Sequence, residues 1–171
     1  KHSVLNDFLI FVDRNPEFEP ELEQAITLFS NEEDTDVNEE LGAYYLKNKE
    51  DDKALSYYEN ANKKNPSDLG VLRNLLMLQL EAKQFENAAN LSEEALSLYP
   101  AQALFYLVYG VTQNNLGKSK NAAEYLEMGL DYIVEDSKML ADFYSELVRA
   151  YVTLGDANKA TRYRELINNL N

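Results

Sequence analysis

Cysteine is absent from this sequence, and its absence excludes disulfides, thiol nucleophiles and cysteine-zinc sites, while fitting either a reducing or an oxidising compartment. Histidine occurs once, at His2 beside the chain's first residue, so no histidine triad, histidine general base or two-histidine metal site can be built inside the fold. Glycine is scarce: its six residues stand apart, with no GxGxxG, no Walker-type GxxxxGK and no GxSxG, which removes phosphate cradles and nucleophile elbows. Positive charge is also thin. Sixteen Lys and Arg face thirty Asp and Glu, a formal charge of -14 that repels phosphate backbones and anionic membrane surfaces, so no nucleic-acid partner is expected. No apolar run approaches the roughly 18 residues that would cross a bilayer, and direct membrane insertion is not expected either.

Two acidic clusters remain as candidates for chemistry: Glu32, Glu33, Asp34 and Asp36, and then Glu50, Asp51 and Asp52. Neither has the alternating ligands, central Gly and terminal Glu of a calcium loop. Paired carboxylates for glycoside hydrolysis must flank a sugar cleft, whereas these fall on expected turns and outer faces. The reading is therefore of solvated turns, with no catalytic residue, no metal and no cofactor.

Regularity is what the sequence does contain. Ala54, Ala88 and Ala122 recur at steps of 34, and Gly42, Leu76 and Gly110 keep the same step, as do Pro66 and Pro100. Ala61, Ala95 and Gly129 follow suit, and Leu116-Gly117 returns 38 residues later as Leu154-Gly155, a four-residue insertion. Inside each unit the period is helical: Leu72, Leu75, Leu76 and Gln79 stand at i, i+3, i+4 and i+7, and Leu91, Ala95 and Leu98 run on from Ala88. Within these units the prolines, Pro66 and Pro100, fall between the helices. Two helices per unit and no strand alternation give an all-α class.

These residues resemble the tetratricopeptide repeat family, whose helix-turn-helix unit carries small residues at its eighth, twentieth and twenty-seventh places and Pro at its thirty-second. In residues 35–68 those places hold Gly42, Ala54, Ala61 and Pro66, with Leu41, Tyr45 and Tyr58 at the large ones. Residues 69–102 give Leu72, Leu75, Ala88, Ala95 and Pro100, but Leu76 replaces the small eighth residue, which implies a slightly wider helix crossing. Residues 103–136 give Tyr106, Tyr109, Gly110, Ala122 and Gly129, with Val134 where Pro is usual. Residues 141–171 give Tyr144, Leu147, Tyr151 and Ala160, with Val148, Arg164 and Ile167 departing from the pattern. The resemblance implies antiparallel helix pairs stacked as a right-handed superhelix, an α-solenoid, over 35–171. Ahead of it, residues 1–34 are read as an N-terminal helical segment. Within it, Ser3 to Arg14 forms a helix with apolar Val4, Leu5, Phe8, Leu9, Phe11 and Val12, the second helix of a truncated or degenerate repeat. A single helix from about Phe18 to Asn31 follows, buried through Leu22, Ala25, Ile26 and Phe29, and then an acidic turn.

The resemblance also implies a function class: a non-catalytic adaptor or scaffold that binds a peptide or helix of a partner protein in the groove lined by first helices. In the first unit the groove places hold Asp36, Glu39, Glu40, Ala43, Leu46 and Lys47, and in the second Gly70, Arg73, Asn74, Met77, Leu80 and Glu81. The third supplies Leu104, Leu107, Val108, Val111, Asn114 and Asn115, and the fourth Asp142, Ser145, Glu146, Arg149, Val152 and Thr153. Met77, Leu104, Val108 and Val111 are expected either to form an apolar floor bordered by the donors Arg73, Asn74, Asn114, Asn115 and Arg149, a docking surface for an apolar peptide or helix, or to pack inside the superhelix against neighbouring helices. Chaperone C-terminal tails are not an expected ligand. Of the places at which the family's co-chaperones carry their carboxylate clamp, only Asn74 fits, and Glu39, Ala43, Leu104 and Val108, or Asp142 and Glu146 one repeat on, occupy the rest. The alternative is a structural spacer or oligomerisation element of a larger multi-repeat protein. The stretch DYIVEDSKML at 131–140 resembles inter-repeat regions of bacterial envelope-associated proteins of this family, particularly those of Bacteroidetes. Because the numbering starts at Lys1 rather than Met, a removed leader or a longer chain is expected; the protein then belongs in a bacterial periplasm or envelope if a leader was cleaved, and in the cytoplasm otherwise.

Overall fold

The computed structural model describes residues 2–30 and 37–170, and every regular element among them is helical. The α-helices run in order: α1 His2–Arg14, α2 Glu19–Ser30, α3 Asn38–Lys47, α4 Asp51–Lys64, α5 Leu69–Glu81, α6 Phe85–Leu98, α7 Ala103–Asn115, α8 Ser119–Gly129, α9 Ser137–Leu154 and α10 Ala157–Asn168. Short 3-10 turns lie at Pro16–Phe18 and Leu130–Tyr132. The chain divides into two compact units, Lys1–Val71 and Leu72–Asn171.

In the first unit, α1 buries Leu5, Leu9 and Val12, α2 buries Leu22 and Ile26, and α3 and α4 close on Leu41, Tyr45, Ala54, Tyr58 and Ala61. The Phe29 side chain and the acidic residues 31–36 lie outside the described residues. α3 and α4 approach closely because Gly42 has no side chain: a Cβ there would stand 2.9 Å from Cδ2 of Tyr58. Lys47 joins α3 to α1 through Asp13 at 2.6 Å.

The second unit is built on Tyr106, Leu126, Phe143, Leu147, Ala150, Tyr151 and Tyr163, around the small residues Ala122, Ala123 and Ala160. The small-against-large logic of Gly42 and Tyr58 returns here, since a Cβ on Gly110 would fall 2.4 Å from Cγ of Leu126. At the corresponding places of α5 and α6 the bulk is exchanged: Leu76 is large, and its counterpart on the second helix is the fully buried Ser92. The Ser92 hydroxyl is kept satisfied by its own helix, donating to the Ala88 and Ala89 carbonyls at 2.7 and 3.0 Å. Leu76 and Ser92 are both buried, so at this pair the large residue stands on the first helix and the small one on the second, the reverse of Gly42 with Tyr58 and Gly110 with Leu126.

Helix ends follow local chemistry. Asp136 caps α9, its carboxylate accepting from the Met139 N–H at 2.9 Å, and Asp156 caps α10 by accepting from the Lys159 N–H at 3.0 Å. α9 stops at Gly155, whose φ of 75° is the left-handed conformation that lets the chain reverse. The stretch 131–140, whose sequence resembles an inter-repeat region, begins in the 3-10 turn Leu130–Tyr132 and is helical from Ser137 onward. The reason is the Asp136 cap together with Met139, which packs against the core of the unit.

Candidate functional site

A cleft of about 470 Å³ opens in the second unit. Its floor comes from Met77 and Leu80 on α5 and from Leu104, Leu107, Val108 and Val111 on α7; the N-terminal half of α9 supplies one side through Met139, Asp142, Ser145 and Glu146. Asp136 and Lys138, at the start of α9, complete the rim. The helical period explains the floor: 104, 107, 108 and 111 lie at i, i+3, i+4 and i+7, one stripe of α7.

Depth varies along that stripe. Val108 is 0% exposed, so it belongs to the packing beneath the cleft, whereas Met77 is 42% exposed and Leu104, Leu107 and Val111 are half-buried. The structure therefore brings together the four apolar residues singled out from the sequence, and only three of them present appreciable surface.

The polar candidates are arranged differently from the donor border expected. Asn114 is buried, and its Nδ2 donates to the Glu146 backbone oxygen at 3.0 Å and to Glu146 Oε2 at 2.8 Å. Asn115 donates to the Val111 carbonyl at 2.7 Å, while its Oδ1 accepts from Arg149 Nη2 at 3.1 Å. Arg149 also stands 3.6 Å from Glu146 Oε2. Asn114, Asn115 and Arg149 are thus joined with Glu146 in one polar seam fastening α7 to α9. Arg73 is exposed and Asn74 half-buried on α5, and neither lines the cleft. The rim is acidic instead, with Asp136, Asp142 and Glu146 against Lys138. Asp136, Lys138 and Met139 escaped sequence reasoning because the insertion before the fourth unit disguised the first turn of α9; Asp136 three residues before Met139 was the cap signal to look for.

A second cleft, of about 410 Å³, lies in the first unit between α1 and α3, among Leu9, Ile10, Asp13, Glu40, Ala43 and Tyr44. Burial, and then the charges of Glu19, Asp13 and Glu50, push the Tyr44 hydroxyl above its ordinary range, which keeps it protonated. Among the described residues no cluster of His, Asp and Glu is arranged to hold a metal ion, and no helix is long and apolar enough to cross a membrane.

Helix pairs recurring along the chain, with small residues at most of their crossings and an apolar stripe on α7, define the class by fold: this is an all-α protein of stacked helical repeats, similar in fold to tetratricopeptide arrays. No protein-family model matches the chain. Among solved structures it is similar to MamA 41-end from Desulfovibrio magneticus RS-1, at 16% identity and a TM-score of 0.77, covering 99% of this chain and 94% of that one. It is likewise similar to MamA AMB-1, at 19% identity and a TM-score of 0.71, covering 99% and 98%. At such identities the likeness is one of fold. Among curated proteins, the N-terminal acetyltransferase A complex auxiliary subunit NAA15 of Arabidopsis thaliana is 28% identical over 87 residues. That match takes in 51% of this chain and only 10% of the length of NAA15.

Proposed function

We propose that the chain is a non-catalytic adaptor or scaffold that holds a segment of a partner protein in the cleft over α5, α7 and α9. The observation that carries this reading is that Met77, Leu104, Leu107 and Val111 keep accessible surface together in one cleft over the buried Val108, whereas the unit's other exposed apolar side chains, such as Leu98, Met128 and Val152, lie outside it. The likeness to NAA15, named as an auxiliary subunit of an enzyme complex, supports a role in association rather than in chemistry. The test is capture of partners by the wild-type protein and by a Met77→Asp/Leu104→Asp variant shown to be folded by circular dichroism. A partner retained only by the wild type supports the cleft; an identical set retained by both sinks it.

A second reading, a structural or oligomerisation element, rests on α1. With Pro16 set against Pro66, the α1 places corresponding to the buried Ala54, Tyr58 and Ala61 are Val4, Phe8 and Phe11. Val4 is 63% and Phe11 44% exposed, and the Phe11 ring lies 6.3 Å from that of Phe8 and 5.2 Å from that of Phe18. This face is covered in the intact pairs and open here, so under this reading it is a face for assembly. Light scattering on a Phe11→Asp/Phe18→Asp variant tests it: an assembly that survives both substitutions does not use α1.

A further inference from the structure

We infer that the occupant of the cleft is a cationic amphipathic helix rather than an extended peptide; the inference rests on the adaptor reading above and adds the conformation and charge of the partner segment. Conformation follows from hydrogen-bond supply. An extended segment brings unpaired backbone N–H and C=O groups, which must find partners when buried. The floor side chains Met77, Leu104, Leu107 and Val111 carry no N–H or O–H to supply them, the polar side chains of the lining stand only along the α9 side, and among these the Ser145 hydroxyl already donates to the Ala141 carbonyl at 2.7 Å. Among the described residues there is no strand edge to pair with. A helix satisfies its own backbone and asks the cleft only for apolar contact, at about three anchors spaced i, i+3 or i+4, and i+7. A volume of about 470 Å³ over Met77, Leu104, Leu107 and Val111 suits one such face.

Charge follows from the rim. Asp136 and Asp142 are exposed there, Glu146 is half-buried, and Lys138 is the cation set against them. Glu146 is partly neutralised by Arg149 at 3.6 Å, whereas Asp142, one helical turn before it, is an exposed negative charge beside the apolar floor. A partner helix whose apolar stripe is flanked by Lys or Arg meets this rim favourably, and one flanked by Glu is repelled.

The experiment uses fluorescence anisotropy with three synthetic peptides. One is a helix-forming peptide with Leu anchors flanked by Lys, the second is its Glu-flanked counterpart, and the third is the Lys peptide with two internal Pro that forbid a helix. The protein is used as wild type, as Asp142→Lys/Ser145→Lys at the rim, and as Glu93→Lys/Ser97→Lys on the exposed face of α6, which changes net charge equally. The Lys helix is expected to bind the wild type, about tenfold more weakly the rim variant, and within about twofold unchanged the α6 variant. The Pro peptide is expected to lose at least about tenfold. Equal binding of the Glu helix, equal loss in both charge variants, equal binding of the Pro peptide, or no binding of the Lys helix overturns the inference. Failure of the adaptor reading is seen separately: a folded Met77→Asp/Leu104→Asp variant that binds the Lys helix as well as the wild type does shows that the cleft is not the site.

Discussion

Lys159 Nζ donates to the Tyr151 hydroxyl at 2.7 Å and lies 4.5 Å from the centre of the same ring. The hydroxyl passes its own proton toward Glu127 Oε1 at 2.7 Å, and Tyr163 donates to that oxygen at 3.0 Å. The first unit carries the same spacing of residue types: Lys53 lies 4.8 Å above the Tyr45 ring, and Tyr45 stacks on Tyr57 just as Tyr151 stacks on Tyr163. An ammonium set against a tyrosine ring, its charge returned to a carboxylate, is a staple between first and second helices of a pair. It uses the polar tips of aromatic residues whose bodies are buried.

This staple makes stability depend on pH at both ends. Burial raises the Glu127 pKa, but hydrogen bonds from Tyr151, Tyr163 and Lys159 outweigh it and hold the carboxyl below its usual 4.5. A depressed acid contributes stability above the unfolded value and loses it as pH falls through the folded one. Wild-type melting temperature should therefore fall below about pH 4.5 more steeply than that of Glu127→Gln, which starts lower at neutral pH. Burial, and then the bond to Glu127, push the Tyr163 hydroxyl well above its ordinary range. Its contribution is complete below about pH 10 and is lost as the pH climbs past that value, so Tyr163→Phe should flatten the alkaline limb. Melts across the pH range check both; parallel curves for wild type and variants would remove the staple from the account.

Gly110 and Leu126 form a second tight relationship, with no room for the Cβ that Gly110→Ala adds 2.4 Å from Cγ of Leu126. That substitution should cost about 1–3 kcal/mol in urea denaturation. Leu76 and Ser92 show how the fold solves the same crossing with the bulk exchanged. Adding Leu126→Ser to Gly110→Ala should accordingly cost less than the sum of the two single changes, by about 1 kcal/mol or more of coupling. Additive losses would mean that the two residues do not share the space.

Much of this architecture was legible because helix pairs repeat their crossings, and a crossing imposes its small residues at fixed intervals: Ala54, Ala88 and Ala122 sit at 0% exposure as their spacing implies. Depth and partnership were less legible. Val108 and Met77 occupy neighbouring places on one notional groove, but burial depends on what α9 lays against each, and that helix begins a turn earlier than its repeat position indicates. Asn114 looked like an open donor since its acceptor, Glu146, is 32 residues away on another helix, beyond the reach of local pattern.

Lys83 and Gly117 occupy the same turn one repeat apart, both left-handed, at φ of 56° and 74°. For Lys the Cβ makes that conformation unfavourable by roughly 1–2 kcal/mol, partly offset by the greater freedom that Gly has when unfolded. Lys83→Gly should therefore stabilise the protein by about 0.5–1 kcal/mol, read as a raised urea midpoint with unchanged slope. A lowered midpoint would mean that the Lys83 side chain contributes more than its backbone costs.

Val108 and Met77 separate packing from surface within one cleft. An aspartate at Val108, 0% exposed, places a carboxylate beneath the apolar floor with no partner for it, at a cost of at least about 3 kcal/mol and with much of the second unit's helicity lost on mild heating. At Met77, 42% exposed, the new charge reaches water, and the change should stay within about 1 kcal/mol. Urea denaturation of the two single variants reads the difference directly. A Val108→Asp protein as stable as Met77→Asp would place Val108 at the surface and return it to the set of contact residues. The expected inequality makes it a residue that holds α7 in position for Leu104 and Val111 to be presented.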